Sequence, residues 1–340
     1  MITVYSEKHL LRNPRTELYG GELVAPHECA QRAQFVLDRV RSEGLGDVVA
    51  PRSFGTTPLL RVHDARFVEF LSTAWGDWVA AGNRGEAIPD CWPARRMAQR
   101  IPDSVTGRLG FYAMAAETSI SAGTWEAACA SADVALTAAE FLVRGERSAF
   151  ALCRPPGHHA GKDLYGGYCF LNNAAVAAQF LRDHGSARVA ILDVDFHHGN
   201  GTQDIFYDRA DVFYASIHGD PLEAFPYFLG YADETGVGPG SGQNLNLPLP
   251  RGTAFDGWRA ALETALERIR RFAPDALVVS LGVDTFENDP ISFFKLKAGD
   301  FTAYGRLIGA LRLPTLFVLE GGYAVEEIGV NAVNVLEGFA

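Results

Sequence analysis

The run Ala190-Ile191-Leu192-Asp193-Val194-Asp195-Phe196-His197-His198-Gly199-Asn200-Gly201 carries the densest chemistry in the chain. Two carboxylates and two imidazoles follow directly on an apolar segment. Asp195 and His197 are two positions apart, so on an extended chain leaving a strand both side chains point to one side. That spacing suits two ligands of one metal ion. A second apolar run, 276–283, ends in Asp284. A third ligand from a neighbouring strand end completes a three-ligand catalytic site with an open position. A lone Asp after a strand is commonly a helix N-cap, so the metal reading rests on the whole set. Carboxylates this dense would repel one another inside a protein without a cation.

Other acid–base groups follow other apolar runs. Arg154-Pro155-Pro156-Gly157-His158-His159-Ala160 holds adjacent histidines that could serve as general acid and base. On its own, such a pair is more often structural or exposed. Gly166-Gly167-Tyr168 offers glycines that allow close backbone approach to a ligand. The run 315–319 leads to Glu320-Gly321-Gly322-Tyr323, where a tyrosine past a Gly-Gly turn could reach over the site and donate a hydrogen bond. Six of the nine histidines lie between His158 and His218. His184, at a polar helix end, is expected to face solvent. The other five are expected just after strands.

These groups need elements that bring them together. Apolar runs at 149–153, 189–193, 212–217, 276–283 and 315–319 read as buried strands. Helical periodicity at 172–184, 255–272, 301–311 and 326–339 separates them, and 27–42, 65–81 and 124–143 add helices to the N-terminal half. This alternation predicts an α/β fold: a single domain over 1–340 with a parallel β-sheet flanked by helices. Ligands of such sheets bind outside the carboxyl ends of the strands, where the histidines are expected.

Composition narrows the function. The 340 residues are 48% hydrophobic and 21% charged, as in ordinary globular proteins. A net charge of −11 argues against a nucleic-acid partner and for a cationic ligand. No basic stretch leads into a long apolar one at the start, and no run of about 18 apolar residues occurs, so neither a secretory signal nor a membrane span is expected. Five cysteines without CxxC spacing are expected to be reduced, in a cytoplasmic protein. Residues 83–108 lack periodicity and hold three prolines and several arginines. They read either as a surface excursion packed on its own chain or as a lid or subunit contact.

Taken in order, residues 154–160, 167–173, 193–201, 284–290 and 321–323 resemble the motifs of the arginase/deacetylase superfamily, on its zinc-dependent, histone deacetylase-like side. The resemblance covers roughly 1–340. It is nearest to the acetylpolyamine amidohydrolase group, including Thr16-Glu17-Leu18-Tyr19-Gly20-Gly21-Glu22-Leu23 and the insertion at about 83–108. It implies the arginase/deacetylase fold and one Zn²⁺ held by Asp195, His197 and Asp284. His158 and His159 would flank the attacking water, with His159 as general base and later acid and His158 as its electrostatic partner. Tyr323 would donate to the oxyanion, Asp193 would orient His158, and Asn200 would face His159. Tyr168 and Phe225 would wall a narrow channel, and the Gly167 carbonyl would accept the substrate amide N–H.

The resemblance also implies structural K⁺ in one site built from Asp193, Asp195, His197, Ser216 and Ile217, and in a second from Phe206, Arg209 and Val212. The insertion implies a homodimer with a narrowed entrance. Glu17 and Glu117 would bind distal ammonium groups at the mouth, and Tyr19 would offer a cation–π face. A solvated helix-start position is the other reading of Glu117. Thr106, where a polyamine-specific relative can carry an acidic residue, together with Arg95, Arg96 and Arg100, favours a short acetylated diamine over acetylspermine. The implied function is deacetylation of acetylated polyamines or of acetylputrescine and acetylcadaverine. An acetyl-lysine peptide deacetylase and a ligand-binding protein of the same fold are the alternatives. Gly199 carries no side chain where the binuclear manganese branch places a carboxylate, which weakens a guanidine or ureide hydrolase. Two carboxylates with one imidazole are oxygen-rich enough that Fe²⁺ or Co²⁺ could also function there.

Overall fold

All five apolar runs form strands in the computed structural model, which describes residues 1–95 and 98–340. In chain order the strands are β1 (Ile2–Val4), β2 (Glu17–Tyr19), β3 (Glu22–Val24), β4 (Val48–Val49), β5 (Ser148–Ala151), β6 (Val189–Asp193), β7 (Val212–Gly219), β8 (Asn244–Leu249), β9 (Ala276–Leu281) and β10 (Thr315–Leu319). The α-helices are α1 (Ala30–Ser42), α2 (Ala65–Ala80), α3 (Val105–Tyr112), α4 (Thr124–Val143), α5 (Asn173–Asp183), α6 (Asn200–Phe206), α7 (Phe255–Phe272), α8 (Ala298–Gly309) and α9 (Ile328–Phe339). Strands β2 and β3 pair as an antiparallel hairpin. The other eight make one parallel sheet in the order β4-β1-β5-β10-β9-β6-β7-β8.

The strands read as continuous apolar runs because each feeds two cores. Val189 and Ile191 of β6 pack with α2, α3, α4 and α5, while Ala190 and Leu192 pack with α1, α7, α8 and α9. Leu316 and Val318 of β10 divide from Phe317 and Leu319 in the same way. With both faces buried, the two-residue period leaves no polar side to alternate. The expected α/β fold with a helix-flanked parallel sheet therefore stands.

Several elements carry weaker signals. Strands β1, β4 and β8 are short or at the sheet edge, and β8 alternates with asparagine. Helix α6 opens with Asn-Gly-Thr, poor helix formers that read as a loop. Helix α8 starts at Ala298, earlier than 301, because Asp300 Oδ2 accepts the Lys297 N–H at 2.7 Å and caps it. Helix α3 begins inside the segment read as aperiodic. Between 88 and 104 there is no helix or strand among the described residues. Trp92 Nε1 fastens that stretch to the Ala113 carbonyl at 2.9 Å. Arg96 lies outside the described residues. No helix among the described residues is long and apolar enough to cross a membrane.

His63 ties two site-bearing connections together. Its Nδ1 donates to the Gly161 carbonyl at 2.8 Å, and its Nε2 accepts the N–H of Asn172, the N-cap of α5, at 3.0 Å. This donor–acceptor pair requires the neutral ring, and burial pushes the pKa down to about 4. An unfolded chain protonates its histidine near pH 6.5. Between those values the unfolded state binds a proton that the folded state refuses. Stability from this site is therefore complete above about pH 6.5 and is lost as pH falls toward 4, by about 3 kcal/mol. Denaturant titrations at several pH values should show that loss shrinking in H63Q. An unchanged pH slope in H63Q would contradict the assignment.

Candidate active site

Four adjacent strands, β5, β10, β9 and β6, end side by side. The chain leaving β5 carries His158 and His159, that leaving β6 carries Asp195 and His197, β9 leads to Asp284, and β10 leads to Glu320 and Tyr323. Ligand atoms of Asp195, His197 and Asp284 lie within 4.8 Å of one another, and all three residues are buried. Asp284 Oδ1 accepts the Phe196 N–H at 2.7 Å, and Oδ2 meets His197 Nδ1 at 2.9 Å. Asp195 Oδ1 accepts the His197 N–H at 2.9 Å, and Oδ2 accepts the Gly321 N–H at 2.8 Å. A Cβ at Gly321 would sit against the carboxylates of both Asp195 and Asp284, so only glycine permits this approach.

The electrostatics fit a cation site. Burial and the Asp195 charge push Asp284 up to about 8. Burial opposes ionisation of Asp195, but His158 and His197 hold it well below the usual carboxylate range. Burial would lower His197, yet its bonds to Asp195 and Asp284 raise it to about 10. Protons thus offset carboxylate repulsion at this cluster. A divalent ion replaces such protons, and two oxygens with one imidazole nitrogen are donors that Zn²⁺ accepts. A second group, His158, Cys169 and Glu320, is also close enough for a metal. Part of its donor set is already engaged: His158 Nδ1 with Asp193, Cys169 Sγ with the Gly167 carbonyl, and Glu320 Oε2 with the Gly157 and His158 N–H groups.

The histidine pair is differentiated by its partners. His158 Nδ1 lies 3.1 Å from Asp193 Oδ2, to which Tyr214 also donates at 3.1 Å. Burial lowers His158, but Asp195 and Asp193 outweigh it and raise the ring to about 10. His159 Nδ1 donates to Asn200 Oδ1 at 2.7 Å, which leaves Nε2 with its lone pair. Burial, then the charges of His158 and His197, hold His159 well below its usual value. The two adjacent histidines are thus pushed in opposite directions, and it is His159, disfavoured as a cation, that lines the cavity.

That cavity has a volume of about 500 Å³. Buried His159, His197 and Tyr323 line it, together with Tyr168 and Phe225. The Phe225 ring lies 5.2 Å from that of His159. Gly167, with φ +56°, brings its backbone against the His159 ring where a Cβ would overlap it. Tyr19 and Glu117 also line the cavity. Glu117 Oε1 accepts the Gly167 N–H at 2.7 Å and the Thr118 hydroxyl at 2.9 Å, so it is no solvated helix-start residue. Glu17 is not brought to the cavity wall. It is 2% exposed and lies behind Tyr168, accepting the Tyr168 hydroxyl and the His27 N–H, each at 3.1 Å.

The remaining expected residues lie as follows. Ser216 pairs with Asp193 across β6 and β7, beside Ile217. Arg209 donates its N–H to the Phe206 carbonyl at 3.0 Å, just before Val212 opens β7. His184 is exposed, as expected. His218 lies within β7 rather than after it, between Ser216 Oγ at 2.7 Å and the Gly230 carbonyl at 2.8 Å. A Cβ at Gly199 would overlap Asp193 Oδ2, so no carboxylate fits there. Sequence reasoning assigned no role to three site-shaping residues: Glu320, Asp289 and Arg32. The first two sit inside quoted motifs, whereas Arg32 lies in helix α1 with no local signal.

The profile of the histone deacetylase domain matches residues 26–339. The chain belongs to the histone deacetylase family. It is a hydrolase of amide bonds, and the metal-dependent chemistry of this family agrees with the Asp195–His197–Asp284 cluster. Among histone deacetylase relatives, it is 58% identical to an acetylpolyamine amidohydrolase of Mycoplana ramosa over 340 residues, covering 100% of both chains. It is 58% identical to acetylpolyamine amidohydrolase 2 of Pseudomonas aeruginosa over 339 residues, covering 100% of this chain and 98% of that one. A crystal structure of acetylpolyamine aminohydrolase from Burkholderia pseudomallei matches with a TM-score of 0.95 at 42% identity, covering 100% and 98%.

The Asn200 contact yields a pH prediction. A base must be neutral to accept a proton, and N200D would place a carboxylate beside His159 Nδ1, favouring the imidazolium. The acidic limb of kcat/KM should move up by about one pH unit or more. An unmoved limb would mean that this contact does not tune His159.

Proposed function

We propose that the protein is a zinc-dependent amidohydrolase that removes acetyl groups from acetylated polyamines and short diamines, acetylputrescine and acetylcadaverine foremost. The observation that carries this reading is the cavity: about 500 Å³, with Tyr168, Phe225, Glu117 and buried His159 in its lining. Such a lining suits a slender alkyl chain with a distal positive charge. The names of the full-length relatives support the same substrate class.

Asp195, His197 and Asp284 would hold the zinc, which when bound supplies a Lewis acid for the acetyl carbonyl and lowers the pKa of water. The substrate chain lies between Tyr168 and Phe225, with its amide N–H on the Gly167 carbonyl. His159 Nε2 accepts a proton from the attacking water and returns it to the leaving amine. His158, kept charged beside Asp193, stabilises developing negative charge. The Tyr323 hydroxyl donates to the carbonyl oxygen as it becomes an oxyanion. Glu117 and the Tyr19 face receive the distal ammonium. Structural K⁺ would be held, largely through backbone oxygens, at Asp193, Asp195, His197, Ser216 and Ile217, and at Phe206, Arg209 and Val212. The protein acts in the cytoplasm as a homodimer, with the 83–108 segment narrowing the entrance. Half-exposed Trp92 and the Arg95 guanidinium, 5.8 Å from the exposed Phe228 ring, support a contact there.

The test compares kcat/KM of the zinc-loaded enzyme for acetylputrescine, acetylcadaverine, acetylspermine and an acetyl-lysine peptide. A short acetylated diamine should win by about tenfold or more, equivalent to about 1.4 kcal/mol of transition-state discrimination. A winning peptide would overturn the substrate class and leave the hydrolytic chemistry. A winning acetylspermine would overturn the preference for short diamines.

A further inference from the structure

Asp289 joins two parts of the cavity wall. It lies five residues beyond Asp284 and is buried. Its Oδ2 accepts the backbone N–H of Tyr323 at 2.7 Å and that of Ala324 at 3.2 Å. Its Oδ1 accepts the N–H of Ile291 at 3.1 Å. Tyr323 and Ile291 both line the cavity. Three backbone donors thus stabilise this carboxylate, and each carboxylate oxygen faces a different segment.

The turn that carries Tyr323 has little rigidity of its own. Gly321 and Gly322 precede it, and Gly322 sits at φ +129°. Tethers must therefore set where the hydroxyl points. Arg32 holds the turn from one side, with Nε donating to the Gly322 carbonyl at 2.6 Å and the guanidinium 4.8 Å from the Tyr323 ring centroid. Asp289 holds it from the other, on the tyrosine's own N–H. An oxyanion donor works only within a narrow distance range, and a misplacement of about 1 Å can cost about 10²-fold.

We propose that Asp289 is a positioning residue for the reaction: one oxygen fixes the Tyr323 turn so that its hydroxyl meets the substrate oxygen, and the other fixes the 290–293 wall against it. This rests on the oxyanion role given to Tyr323 above. The two tethers separate kinetically, because loss of the Tyr323 tether acts on kcat and loss of the Ile291 tether acts on KM.

The experiment uses D289A, D289N, Y323F and the D289A/Y323F double variant. In a crystal structure of D289A, the Tyr323 ring should leave its wild-type position. A ring that overlays the wild type overturns the proposal whatever the kinetics, and this arm needs no substrate. With acetylputrescine, D289A should lower kcat about 10–10²-fold. Y323F should lower it about 10²–10³-fold. Adding D289A to Y323F should cost less than about threefold more, because the group that Asp289 positions is gone. Equal costs in both backgrounds overturn the proposal. D289N keeps an oxygen for Tyr323 and Ala324 but turns an amide toward Ile291, so kcat should stay within about threefold while KM rises. D289N also serves if D289A fails to fold, and a D289N with Tyr323 in place but kcat down about tenfold or more overturns the proposal. A wild type that ignores acetylputrescine counts against the functional reading and leaves the crystallographic arm to decide this one.

Discussion

Negative charge is crowded into a buried space at the carboxyl ends of parallel strands. Asp193, Asp195, Asp284 and Glu320 are each fully buried within the site. Such a group is tolerated when donors and cations offset its charge. His158 and His197 supply charge, and the N–H groups of Phe196, His197, Gly157 and Gly321 supply hydrogen bonds. A divalent ion held by Asp195, His197 and Asp284 would neutralise the charge at the centre of the group. The same crowding explains why glycine stands at 199 and 321, where any side chain would enter carboxylate space.

A second buried network holds the pieces in register from behind. Glu28 Oε1 accepts from Arg154 Nε at 2.7 Å and from Arg32 Nη1 at 3.1 Å. Arg154 Nη1 donates to the carbonyls of His9 at 2.7 Å and Arg12 at 2.9 Å. One carboxylate thereby links the N-terminal segment, α1 and the turn after β5, while Arg32 reaches on to the Tyr323 turn. Arg12, Arg32 and Arg154 are each 2% exposed or less, so removing Glu28 would leave buried cations short of their counter-charge. Catalytic geometry and fold stability therefore share the same contacts here.

The central strands were legible because burial on both faces writes them as unbroken apolar runs. The candidate metal ligands were legible because strand ends in such a sheet face one crevice, so Asp195, His197 and Asp284 could be placed together from their positions after two runs. What stayed hidden depended on distant partners. Glu17 was expected at the mouth, yet a tyrosine 151 positions away covers its carboxylate. Arg32 is one more basic residue on a helix until it meets Gly322, 290 positions away. Helix α6 escaped notice because its first residues serve the site rather than helix propensity.

A divalent ion bound at Asp195, His197 and Asp284 would displace the protons those side chains share. Calorimetric titration of Zn²⁺ into chelator-treated protein near pH 7, run in two buffers of different ionisation enthalpy, measures both quantities at once. One tight site per chain with release of about one proton or more is the expected result. Two equivalent sites, or binding without proton release, would contradict it.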